Sequence, residues 1–134
     1  MLEVTDLKRA TEGLRVGVTT TGAAQGMAQL TPLLRQSVTT LPGGGSHEIR
    51  VLTANLQPGD VTPRHSHRFP VTVCVYEGTF TLDLDGQPPI DIAAGQAFVE
   101  PSHVPMTGRN NGDIPTRMCL FYVCDPQSPF ADPL

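Results

Sequence analysis

The stretch Gly59-Asp60-Val61-Thr62-Pro63-Arg64-His65-Ser66-His67-Arg68-Phe69-Pro70-Val71-Thr72-Val73-Cys74-Val75-Tyr76-Glu77-Gly78 carries a His-x-His and then a β-branched run. In an extended strand, residues i and i+2 point to the same face, about 6.5–7 Å apart. Two imidazoles at that spacing can converge on one metal ion about 2.1 Å from each nitrogen. The same alternation turns Phe69, Val71, Val73 and Val75 inward, unless a bulge at Pro70 shifts the parity. Two solvated histidines at a polar strand end would show the same spacing, so the pair alone does not decide the chemistry.

Strand-like segments lie on both sides. His47–Leu56 alternates and stops at Gln57-Pro58-Gly59-Asp60. Thr79–Leu84 alternates, with Phe80, Leu82 and Leu84 on one face, and Asp85-Gly86 reads as a hairpin turn. Ile90–Ile92, Ala97–Val99 and Arg117–Val123 are further short strands, and Pro101 and Pro105 bracket a bend. Thr31–Thr40 supplies an edge strand that ends at Pro42-Gly43-Gly44-Gly45. Short strands with Gly and Pro punctuation predict an all-β sandwich or barrel. The barrel is expected over residues 30–124. Residues 1–29 read as a loose N-terminal arm, with a helical turn or two in Val4–Ala10, and residues 125–134 as a Pro-rich C-terminal tail.

Bulk properties narrow the function classes. A chain of 134 residues suits one domain. Its 13 Gly, 13 Pro and 16% charged residues favour turns and short strands over amphipathic helices. A net charge of -4 offers no basic footprint for nucleic acid and no polybasic membrane anchor. No stretch is long and apolar enough to span a bilayer, and Thr11–Leu30 is too polar for a signal-peptide core. A cytoplasmic location is therefore expected. Cys119 and Cys124 would lie about 16 Å apart in one strand, too far to pair. Pairing of Cys74 with either stays open, and three reduced thiols are expected.

The glycine and histidine landmarks resemble those of the cupins. The first cupin motif is Gly, five residues, His-x-His, three or four residues, Glu, six residues, Gly. Here Gly59, His65-Ser66-His67, Val71 and Gly78 stand at those intervals. The second motif is Gly, five residues, Pro-x-Gly, two residues, His, three residues, Asn. Gly95, Pro101-Ser102-His103, Met106 and Asn110 follow it. The resemblance covers about residues 46–124. It implies a jelly-roll barrel, the double-stranded β-helix, with a pocket at its mouth. It also implies four ligands: both motif-one histidines, the motif-one Glu and the motif-two His. His65 and His67 match, but the Glu position is Val71 and the second His position is Met106.

Three readings of these departures stand. A metal binds through His65, His67 and the Met106 thioether, a set leaning toward copper(I). Alternatively His103 swings in as a third nitrogen, in a turn that must then differ from the family's glycine turn. Or no metal binds, Val71 and Met106 line the pocket, and the histidines hydrogen-bond a ligand. A divalent transition metal or copper is thus the candidate cofactor, and no nucleotide or organic cofactor is implied. Phe69, Val71 and Val73 are expected to line the pocket. Arg64, Arg68 and Arg109 flank the motifs and would attract a carboxylate-bearing ligand. Glu100, just before Pro101, is read as pointing either way, and Asn110 as fixing its loop by backbone hydrogen bonds.

The favoured function is a metal-assisted enzyme, such as an oxygenase, isomerase or lyase, on a small and acidic substrate. The alternatives are a non-catalytic small-molecule binding or sensing barrel and a copper-handling protein using Met106. Fold alone does not choose among them. Exposed sheet edges need cover, and an arm reaching a neighbouring copy would supply it, so a homodimer is expected.

Overall fold

The computed structural model describes residues 26–134 and contains no helix among them. In chain order the strands are β1 (Gln29–Val38), β2 (His47–Leu56), β3 (His65–Ser66), β4 (Val71–Glu77), β5 (Thr79–Leu84), β6 (Ile90–Ala93), β7 (Ala97–Glu100), β8 (Met106–Arg109), β9 (Thr116–Cys124) and β10 (Asp132–Pro133). They form two five-stranded sheets, ordered β1-β2-β9-β4-β7 and β10-β3-β8-β5-β6. Neighbouring strands run antiparallel, and the chain crosses repeatedly from one sheet to the other. This is the double-stranded β-helix that the motifs imply.

Alternation builds the interior. On β2, Glu48, Arg50, Leu52, Ala54 and Leu56 point in, and their neighbours are half-buried. On β4, Val71, Val73 and Val75 are buried, so Pro70 leaves the expected parity intact. At Gly78, φ is +73° and an added Cβ would run into the Pro115 carbonyl. Only glycine fits that turn, which explains the landmark at the end of the first motif.

The sheet register lines up inward residues in rungs. One rung crosses all five strands of the first sheet: Arg35, Arg50, Tyr122, Val71 and Glu100. All five are buried. At its β1–β2 end, Glu48 accepts from Arg35 Nε at 2.5 Å and from Arg50 Nε at 3.1 Å. The remaining donors reach the C-terminal segment: Arg50 Nη1 donates to Ser128 O at 2.7 Å and Arg35 Nη2 to Pro126 O at 3.3 Å.

Two sequence expectations need correction. Residues 125–134 are not a tail. Ser128, Phe130 and Ala131 are buried, and β10 pairs with β3. Carbonyls offered to buried arginines and an ion pair between Arg68 and Asp132 hold the segment on the barrel. The barrel also begins earlier than expected, because Ala28 is buried and its N–H donates to Val61 O at 3.0 Å. The helical turn expected in Val4–Ala10 lies outside the described residues.

Burial opposes ionisation of Glu48, but hydrogen bonds from Arg35 and Arg50 outweigh it and hold its pKa below the ordinary value of 4.5. The folded state therefore binds fewer protons here than the unfolded state. The contribution is complete above the unfolded value and is lost as pH falls through the lowered folded one. Glu48→Gln should cost about 3–5 kcal/mol, since it leaves two buried guanidinium groups uncompensated. Denaturant unfolding at pH 7 and pH 4 measures both effects, and the gap between wild type and variant should narrow in acid.

Candidate functional site

The two sheets enclose a cavity of about 40 Å³. His65, His67, Glu100 and Thr62 supply its polar lining, against walls that include Phe80 and Phe130. The strands deliver these groups from three directions. β3 and the turn after it bring the two imidazoles, the end of β7 brings Glu100, and the C-terminal segment brings Phe130 and Ala131.

The two imidazole rings stand edge to face, with centroids 4.9 Å apart. Each is anchored through Nδ1. His65 Nδ1 donates to Pro63 O and His67 Nδ1 to Phe130 O, both at 2.6 Å. A carbonyl only accepts, so each Nδ1 carries a hydrogen, and in the neutral ring Nε2 keeps a free lone pair. Burial pushes the pKa of His65 below the ordinary histidine value, with smaller effects from the Pro63 hydrogen bond, His67 and Glu100. Its ring is therefore neutral at pH 7. His67 is 1% exposed, and its Nε2 lies 3.5 Å from Glu100 Oε1.

Glu100 is the functional residue that motif matching misses. The first-motif Glu position holds Val71, and the β4–β7 register sets Glu100 directly opposite Val71. The carboxylate has moved one strand sideways, about 4.8 Å, along the same inward rung. Alternation carries a signal for this. Phe98 packs against the core, and Glu100 lies two residues on, so both face in.

The other expected residues lie elsewhere. Met106 is fully buried within the hydrophobic core, paired in register with His65 and Leu84, and does not line the cavity. Val71 and Val73 are likewise core, and Phe69 packs against it, its N–H donating to the Tyr122 hydroxyl at 3.2 Å. None of these three lines the cavity. Arg64 pairs with Asp85, Arg68 with Asp132 and Arg109 with Asp83, so each expected anion-attracting charge already has a carboxylate partner. Asn110 acts as expected: its Nδ2 donates to Leu56 O and Ile114 O, and its Oδ1 accepts from Gly112 N–H.

His103 is exposed and does not enter the site. The turn was expected to change shape to accommodate it, but φ is 60°, so a histidine occupies the left-handed conformation. Its N–H donates to His67 O at 2.7 Å, and this bond ties the second motif's turn to the first motif. The left-handed region costs a side chain with a Cβ about 1–2 kcal/mol. His103→Gly should therefore raise stability by about 0.5–1 kcal/mol after the extra freedom of the unfolded chain is deducted. A thermal melt should show a Tm higher by a few degrees.

This double-stranded β-helix, with an imidazole pair and a carboxylate in its cavity, defines a small pocket-bearing barrel. The family model described as Cupin domain matches residues 52–123, more than half of the chain, and the chain belongs to that family. No curated protein matches. Among solved structures, a conserved protein of unknown function from Streptococcus pyogenes is similar, with a TM-score of 0.57 and 20% identity over 96% of this chain and 93% of that one. A double-stranded β-helix protein from Klebsiella pneumoniae gives a TM-score of 0.65 at 16% identity, over 86% of this chain and 91% of that one. The DMSP lyase DddQ from Ruegeria pomeroyi gives 0.61 at 19% identity, over 82% of this chain but 56% of that one. At these identities the likeness is one of fold.

Proposed function

We propose that the cavity is a divalent transition-metal centre held by His65, His67 and Glu100, serving an enzyme that acts on a small molecule. One observation carries the reading. His67 Nδ1 is committed to a carbonyl, so the free lone pair of Nε2 faces a buried carboxylate oxygen 3.5 Å away. Two acceptors in such contact need a proton or a cation between them. Two donors sharing one ion at about 2.0–2.1 Å stand roughly 3.0–3.4 Å apart, close to this separation.

The donor types also fit. Metal-binding imidazoles are characteristically oriented by a hydrogen bond through the other ring nitrogen, and both histidines have one. Two nitrogens and one carboxylate suit iron, manganese, nickel or zinc, and the copper(I) expectation goes with Met106 into the core. Among the described residues, no group of three or more His, Cys, Asp and Glu already stands at metal-holding spacing. The His67–Glu100 contact is the part in place, and His65 flanks it.

A bound ion would supply Lewis acidity and an acidified water. The chain's own groups shape the rest. Phe80, Leu82 and Phe130 exclude bulk water. The small cavity restricts the substrate to a few heavy atoms unless the C-terminal segment yields. Because the flanking arginines are already paired, acidic-substrate recognition has no free charge to rest on, and substrate charge is left out of the proposal. Lyase, isomerase and oxygenase chemistry all fall within this reading, and one structural relative is a lyase.

Elemental analysis after reconstitution with iron, manganese, nickel, zinc and copper should find one equivalent of a single metal. His67→Ala and Glu100→Gln should each weaken its binding by about 100-fold or more. The double variant Val71→Glu, Glu100→Val should recover much of that loss, because it returns the carboxylate to the neighbouring strand. Absence of stoichiometric metal under every condition would overturn the proposal.

A further inference from the structure

The outer face of the first sheet differs from every other surface of the barrel. One outward rung crosses all five strands: Leu34, Val51, Phe121, Thr72 and Val99. Leu34, Phe121 and Val99 are exposed at 36%, 42% and 54%. The rung on one side contains Ile49 and Val123. The rung on the other contains Thr53, Cys119, Cys74 and Ala97. These three rungs carry no charged residue. The next one is polar and ends in the Arg117–Glu77 ion pair. The second sheet is unlike this: its exterior and adjoining turns carry the Arg109–Asp83, Arg64–Asp85 and Arg68–Asp132 pairs.

The central strand repeats the message in sequence. Met118-Cys119-Leu120-Phe121-Tyr122-Val123-Cys124 has no charged or amide side chain on either face. A continuous run of this kind is the pattern of a strand covered on both sides, whereas a strand with one wet face alternates.

We infer that this face is the interface of a homodimer, with a second copy of the chain as its occupant. Three observations select a second copy. Each copy carries -4, so two copies meet with least repulsion through the face that bears no charge. A partner of opposite charge would be recognised by acidic groups, which these rungs lack. Phe121 sits on the middle rung of the middle strand, so a two-fold axis through the patch centre sets Phe121 against its counterpart, in a self-complementary arrangement. Size agrees as well. Five strands at about 4.8 Å and three rungs at about 6.8 Å give a flat patch on the order of 400 Å² before side-chain relief and rim are added. That suits the apolar centre of an interface burying about 800 Å² per partner. The expected homodimer thus forms through a sheet face, where sequence reasoning placed it at an edge covered by the arm.

Sedimentation equilibrium of the full chain between 1 and 100 μM (about the range that resolves such dimers) should give twice the chain mass of 14.4 kDa. Phe121→Glu should raise the dimer dissociation constant at least about 30-fold, as loss of a central aromatic anchor does. Val99→Glu, on the edge strand β7, repeats the test where a folding defect is less of a risk. Thr107→Glu on the second sheet should leave the dimer intact, and circular dichroism should show all three variants folded. A wild-type monomer at 100 μM would overturn the inference, whether residues 1–25 or another protein covers the face. A dimer indifferent to both Phe121→Glu and Val99→Glu would overturn it too.

Discussion

The hydrogen bond from His67 Nδ1 to the Phe130 carbonyl joins residues 63 positions apart. Both groups are buried, so breaking it would strand a donor and an acceptor away from water, each at a cost of about 1–3 kcal/mol. Three consequences follow from this one contact. It settles which ring nitrogen of His67 faces the cavity. It fixes the Phe130 ring edge to face against His67, with centroids 5.0 Å apart, and against Tyr122 at 5.6 Å. It also makes the C-terminal segment a wall of the site. The arginines at the far end of the inward rung serve the same arrangement, because they hold the Pro126 and Ser128 carbonyls that precede Phe130.

That rung separates unlike charges across a dry interior. Arg35, Glu48 and Arg50 occupy one end, Glu100 the other, and Tyr122 and Val71 stand between. At the first end each charge has opposite partners within hydrogen-bond distance. At the second, Glu100 has only an imidazole within ion-pair distance. Buried carboxylates need compensation, and the less complete pairing marks the end where chemistry belongs. The valine at the motif's Glu position does not empty the site, since the register supplies a carboxylate from the next strand.

Much of the fold was legible in the sequence because alternation and turn residues are local signals. β2 and β5 match the expected spans, and β4, β7 and β9 differ only at their ends. β3 and β10 were not legible, since two-residue strands have no period to read. The C-terminal segment resisted for a different reason. Pro126, Pro129 and Pro133 suggest a loose end, while the order comes from side chains on β1 and β2 that reach its carbonyls. At the site, His65 and His67 were visible through their spacing. Glu100 was visible only as a residue of undecided direction, because its placement opposite Val71 depends on a pairing between separate strands. Met106 was misplaced by matching position to role: the position is preserved, but its side chain fills the core.

β9 poses a last question of register. A one-residue slip exchanges the two faces of a strand, and usually hydrophobic alternation forbids it. Here both faces are apolar from Met118 to Cys124, so a slip would replace Tyr122 by Phe121 or Val123 at little hydrophobic cost. Polar contacts must therefore set the alignment. Thr116 Oγ1 donates to Thr79 O at 2.7 Å, and Arg117 pairs with Glu77 at 3.3 Å, at the start of the strand. Further along, the Tyr122 hydroxyl accepts from Phe69 N–H within the core. A slip would break all three contacts and leave the buried Phe69 and Thr79 groups without partners. Buried polar groups here contribute chiefly by excluding alternatives. They hold Tyr122 in the cavity rung and Phe121 on the outer face, two consecutive residues serving opposite sides of one sheet.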